Sequence, residues 1–92
     1  MISKVFTPIT AAATASGSGN ETNVGSSRYV LVQNTSSVSV DKLVTLRTVG
    51  DTTIGTFRIN GDSSTIIKKA TTDTIYADTT TVYFTGVTIT NI

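Results

Sequence analysis

Acid–base, nucleophilic or metal chemistry in this chain would fall to a short roster of side chains. The acids are Asp41, Asp51, Asp62, Asp73, Asp78 and Glu21, the bases are four lysines and three arginines, and histidine and cysteine are absent. Without His or Cys, zinc and iron–sulfur sites, disulfides, thiol nucleophiles and Ser-His-Asp triads are closed to it. The aspartates are scattered, mostly where turns are expected, and a turn Asp hydrogen-bonds its own backbone. This pattern points away from an enzyme and offers no residue set for a cofactor or a metal. Asn60 and Asp62 with neighbouring carbonyls are a conceivable cation site, but the ligand spacing of an EF-hand is missing.

The remaining short motifs are equally weak. Asn20-Glu21-Thr22 and Asn34-Thr35-Ser36 satisfy the N-glycosylation pattern, which chance supplies in a chain this rich in Ser and Thr. Gly17-Ser18-Gly19 lacks the following Lys-Ser/Thr and the helix start that a phosphate loop needs. Lys68-Lys69 with Asp73 reads as a solvated charge group worth at most about 1 kcal/mol. A net charge of +1, with 14% charged residues, provides no basic patch for nucleic acid. No run approaches the roughly 20 apolar residues of a membrane helix, and MISKVFTPIT lacks the apolar stretch of a secretory signal.

The elements that must position these residues are strands. Threonine is about a fifth of the 92 residues, with Ser, Val and Ile abundant. β-Branched side chains are stiff at χ1 and favour the pleated surface over the helix. Period-2 alternation marks Arg28–Asn34 (Val30 and Val32 against Tyr29 and Leu31), Val38–Val49 and Thr53–Ile59. Asn60-Gly61 is the strongest local hairpin signal, fitting a type I′ turn. Further runs at Thr65–Lys69 and Thr74–Ile89 follow, the last broken by ADTTT, with Gly86 a candidate bulge. With an opening strand at Ile2–Thr7 closed by Pro8, about seven strands result. The expected fold is all-β, a small antiparallel β-sandwich of immunoglobulin-like or jelly-roll-like kind. Its expected core is Val30, Val32, Val44, Leu46, Phe57, Ile59, Ile66, Ile75, Val82, Phe84 and Val87.

Residues 9–27, ITAAATASGSGNETNVGSS, break this texture, because small and polar residues bury too little area to offset their own ordering entropy. The division expected is therefore an extended N-terminal arm, 1–27, and a β-sandwich domain, 28–92. Extended, the 20 or so residues of the 9–27 segment span on the order of 60 Å, enough to reach a partner.

The succession YVLVQNTSS, VTLR, TIGTFRINGDSSTIIKKATTDTI and VYFTGVTI resembles small virion proteins of tailed bacteriophages, cyanophages especially, over roughly residues 28–90. Its most specific part is the strand ending in Lys69, the turn Ala70–Thr74 and Ile75. The resemblance implies a small β-sandwich on the outside of the particle that acts by packing between subunits, and it assigns no catalytic position. The function expected is that of a structural virion protein, a capsid decoration or cement protein, made in the host cytoplasm and carried on the capsid surface. Its partners would be major capsid protein subunits and copies of itself. The arm residues Ile2, Val5, Phe6 and Ile9 and the amphipathic Arg28, Tyr29, Tyr76 and Tyr83 are the candidate contacts. Alternatives are a tail, neck or fibre component of the same particle, or a carbohydrate-binding or adhesion module built on the three tyrosines.

Overall fold

In the computed structural model, which describes the backbone of residues 4–91 and the side chains of 7–89, every regular element is a strand. In chain order they are β1 (Lys4–Pro8), β2 (Ala13–Thr14), β3 (Tyr29–Asn34), β4 (Lys42–Arg47), β5 (Thr53–Ile59), β6 (Ser63–Lys68), β7 (Thr74–Ala77) and β8 (Val82–Asn91). A five-stranded sheet has the order β1-β8-β3-β6, with β2 beside β1 on the same edge of β8, and a three-stranded sheet has the order β5-β4-β7. All strand pairings are antiparallel, and the two sheets pack into a sandwich.

The alternation of β3 shows how the sequence dictates the layering. Val30, Val32 and Asn34 are buried, and the intervening Tyr29, Leu31 and Gln33 are half-buried on the outer face. Directly opposed residues share a face. Phe84, paired with Val32, and Val82, paired with Asn34, therefore enter the core as well. From the other sheet come Val44, Ile59, Ile75 and Ala77. Phe84 is the largest side chain in this core, and truncating it to Ala would cost about 3–5 kcal/mol.

Three expectations about the strands are corrected. Ile67, not Ile66, packs on the core, because it is Ile67 that opposes Val30. Val87 is buried as expected, on the outer face between Tyr29 and Pro8 and apart from the central cluster. There is no bulge at Gly86: β8 runs past β3 in unbroken register from Val82 to Val87, and the irregularity falls between Leu46 and Arg47 instead. Asn60-Gly61 does not close a hairpin, since β5 pairs with β4 and β6 with β3, so residues 60–62 cross from one sheet to the other. Gly61 is needed there for space, because a methyl group on it would collide with the Ser37 carbonyl, and the positive φ falls on Asp62, at 54°.

The segment read as an N-terminal arm adds a further observation. It is extended, but over its described residues it lies along its own sandwich. β2 pairs with β8 at Phe84 and Tyr83, and the chain then crosses to the edge of β7. There the Gly17 N–H donates to the Ala77 carbonyl (2.8 Å) and Ala77 donates to Ala15 (2.9 Å). Thr22 and Ile75 exchange main-chain bonds of 3.1 and 2.9 Å. Ala15 and Val24 of this segment enter the core of the sandwich. Edge strands leave rows of unpaired N–H and C=O groups, and this segment takes up some of those of β7 and β8.

Candidate functional site

The candidate contact residues separate into three places. Ile2 lies outside the described residues. Val5 and Phe6 are in β1, opposite Thr90 and Ile89 of β8. β3 leaves β8 at Val87, so among the described residues Thr88–Asn91 pair with β1 alone and form a two-stranded ribbon beyond the body of the sandwich. At 3.4 Å per residue it extends roughly 14 Å. Ile9 follows at its base, 55% exposed, with its N–H bonded to the Gly86 carbonyl at 2.7 Å. The Gly86 N–H in turn donates to Thr10 Oγ1 (2.8 Å), and a methyl on Gly86 would strike the buried Ser27 hydroxyl. These contacts fix where the ribbon leaves the body.

Arg28, Tyr29 and Tyr83 belong to the five-stranded sheet. Arg28 is exposed, and its carbonyl accepts from the Lys69 N–H at 2.8 Å. Tyr29 stands on the outer face between Val87 and Lys68, and Tyr83 on the same face beside Gln33. Four residues of β8 separate their rows, about 14 Å. Tyr76 is on the other sheet, half-buried, with the Arg47 guanidinium 5.9 Å from its ring centroid. The structure therefore does not gather the three tyrosines into one aromatic platform.

Around Tyr76 a polar cluster pins the N-terminal segment instead. Arg47 Nη1 donates to Ser18 Oγ at 3.1 Å, and the Gly19 N–H donates to Glu21 Oε2 at 2.6 Å. Main-chain N–H groups of Glu21 and Gly19 hold the Glu21 carboxyl below the usual carboxylate range; burial opposes this, and the nearby Arg47 charge adds to it. Arg47 Nε is buried with no partner among the described residues.

The opposite flank holds features that no sequence motif marks. An open groove of about 290 Å³ is lined by Gln33, Asn34, Thr35, Asp62, Ser63 and Ser64, at the start of β6. Asn34 forms its floor and is fully engaged: Nδ2 donates to the carbonyls of Val40 (3.1 Å) and Ile59 (3.0 Å), and Oδ1 accepts from the Ser36 N–H (2.9 Å). Burial and bonding thus remove Asn34 as a glycan acceptor. Along β6 the two adjacent lysines diverge. Lys68 is exposed, whereas Lys69 is 4% exposed, its Nζ donating to the Ala70 carbonyl at 3.2 Å. Burial pushes its pKa down, and Asp73 only partly opposes this, so the solvated Lys68-Lys69-Asp73 group is corrected to one exposed and one buried cation. No group of three His, Cys, Asp or Glu placed to hold a metal occurs among the described residues. Comparison with known protein families, with curated proteins and with solved structures finds no match for this chain.

Proposed function

We propose that this chain is a structural protein of a tailed-bacteriophage particle, bound to the outside of the head as a decoration or cement protein that ties capsid subunits across their junctions. The observation that carries the reading is the β1/β8 ribbon. A two-stranded ribbon standing alone in water is marginally stable at best, so one that projects from a small domain fits a role against another surface. Its main-chain edges are suited to strand addition, and Val5, Phe6 and Ile9 lie in it or at its base. The resemblance of residues 28–90 to small phage virion proteins supports the same reading. Weak contact per copy suffices when a symmetric shell repeats it and each copy spans several subunits.

A tail, neck or fibre position uses the same ribbon, and stoichiometry separates the two. Quantitative mass spectrometry of purified particles measures this chain against the major shell protein. Head decoration requires copies on the order of hundreds, while a tail or neck position gives about six to a few dozen. Absence from particles overturns both.

A further inference from the structure

Among the described residues β6 ends the five-stranded sheet and pairs only with β3, in regular register from Ser63 to Lys68. The Lys69 N–H points at the Arg28 carbonyl of the β3 side. By alternation Ser63, Thr65 and Ile67 also direct their main-chain groups toward β3, and Ser64, Ile66 and Lys68 direct theirs outward, unpaired. The side chains of these three residues stand on the outer face, since their partners Gln33, Leu31 and Tyr29 do. In the three-stranded sheet the β5 edge is broken by the irregularity at Leu46/Arg47, a device that re-aims an edge away from pairing.

We propose that the β6 edge pairs antiparallel with the β6 edge of a second copy of this chain, about a two-fold axis at Ile66. In that register Ile66 faces Ile66 of the second copy, and each Ser64 faces a Lys68. All three positions direct main-chain groups outward, so every facing pair exchanges two N–H···O bonds. Ile66, half-buried beside Leu31, gains an apolar neighbour on the axis. Lys68 is carried to Ser64 of the other copy, which lines the groove containing Asp62 and the Gln33 side chain. An ammonium group there meets a carboxylate and hydroxyl and amide oxygens, and the two-fold axis makes this contact twice. No like charges stand opposite one another. The groove and the lysine are thus complementary parts of one surface. The inference does not rest on the particle reading, because this pairing requires no shell.

A six-residue edge buries less than a standard interface, so the association is weak, roughly 10 μM to 1 mM. Sedimentation equilibrium of the full chain, up to about 1 mM, measures it. Lys68→Glu weakens the dimer about tenfold or more, and Ile66→Lys abolishes it by placing two lysines on the axis. Asp62→Asn, which keeps a residue tolerant of positive φ, weakens the dimer roughly three- to tenfold in the native background. In the Lys68→Glu background the same substitution strengthens it, because a repulsion is relieved. Melting by circular dichroism reports folding, and should Ile66→Lys unfold, the exposed Lys68 and Asp62 carry the test alone. A chain that is monomeric throughout overturns the proposal. So does a dimer indifferent to Lys68→Glu, or an Asp62→Asn effect of the same sign in both backgrounds.

Discussion

Along one flank of the sandwich, residues 13–22 pair with the edges of β8 and β7 and place Ala15 in the core; along the other, β6 leaves the main-chain groups of Ser64, Ile66 and Lys68 unpaired. Both flanks face the same physical demand, since backbone N–H and C=O groups need partners. The first satisfies it within the chain at the cost of ordering a Gly- and Ser-rich segment, which core burial by Ala15 and Val24 offsets. The second leaves its hydrogen bonds to water or to another chain. The residues with the lowest apparent information are thus part of the domain, while a regular strand with alternating side chains is the free surface.

The largest expected effect breaks the closed flank. Deleting residues 1–27 removes two core side chains and uncovers the β7 and β8 edges. A domain this small holds only a few kcal/mol in reserve, so the truncated chain should lose its cooperative unfolding transition in circular dichroism. A truncated domain that melts as the full chain does would mean that the closed flank contributes nothing.

On the open flank, the adjacent lysines sharpen the contrast. Lys69→Met replaces a buried cation with an apolar side chain of similar volume and should raise stability by about 1 kcal/mol in chemical denaturation, whereas Lys68→Met should leave the monomer unchanged. The pH dependence follows from the lowered native pKa of Lys69: the unfolded chain binds the proton more tightly. Stability should therefore rise as pH climbs from the lowered native value toward the ordinary lysine range, and Lys69→Met should abolish that rise. A destabilised Lys69→Met would show that its charge is needed.

Smaller effects are expected where the N-terminal segment is pinned. Arg47→Ala loses the contact with Tyr76 and the bond to Ser18 but also removes an unpartnered buried Nε, so the net loss should be about 0.5–1 kcal/mol. The lowered native pKa of Glu21 places its stabilisation above the ordinary carboxylate range, and this is lost as pH falls through the native value. Glu21→Gln should flatten that part of the pH–stability profile slightly; an unchanged profile would remove Glu21 from the pinning cluster.

Strands were legible wherever alternation was strong. Val30 and Val32 identify the inner face of β3 unaided, and the same holds for Val44 in β4 and Phe84 in β8. Local signals failed where tertiary structure decides. Asn60-Gly61 has hairpin chemistry, but β5 and β6 belong to different sheets, and the glycine answers to the Ser37 carbonyl. Ile66 and Ile67 are adjacent, so composition cannot say which faces inward until the register with Val30 is set. Ala15 carries no periodic signal and is buried only where its segment meets the β7 edge, whereas Ala77 follows Ile75 on the inner face of β7. Of the candidate contacts, Tyr29, Tyr76 and Tyr83 were plausible singly, and their separation became visible only with the sheet order. The β6 edge and its groove depend on that same order, and no motif marks them.

Hydrogen exchange at single-amide resolution, in dilute and in concentrated solution, tests the contrast between the two flanks most directly. The amides of Gly17, Thr22, Ile75 and Ala77, bonded across the closed flank, should be slow at every concentration. Those of Ser64, Ile66 and Lys68 should exchange freely when dilute and become protected as concentration rises. Fast exchange at Ile75 and Ala77, or an Ile66 amide whose rate ignores concentration, would contradict the account.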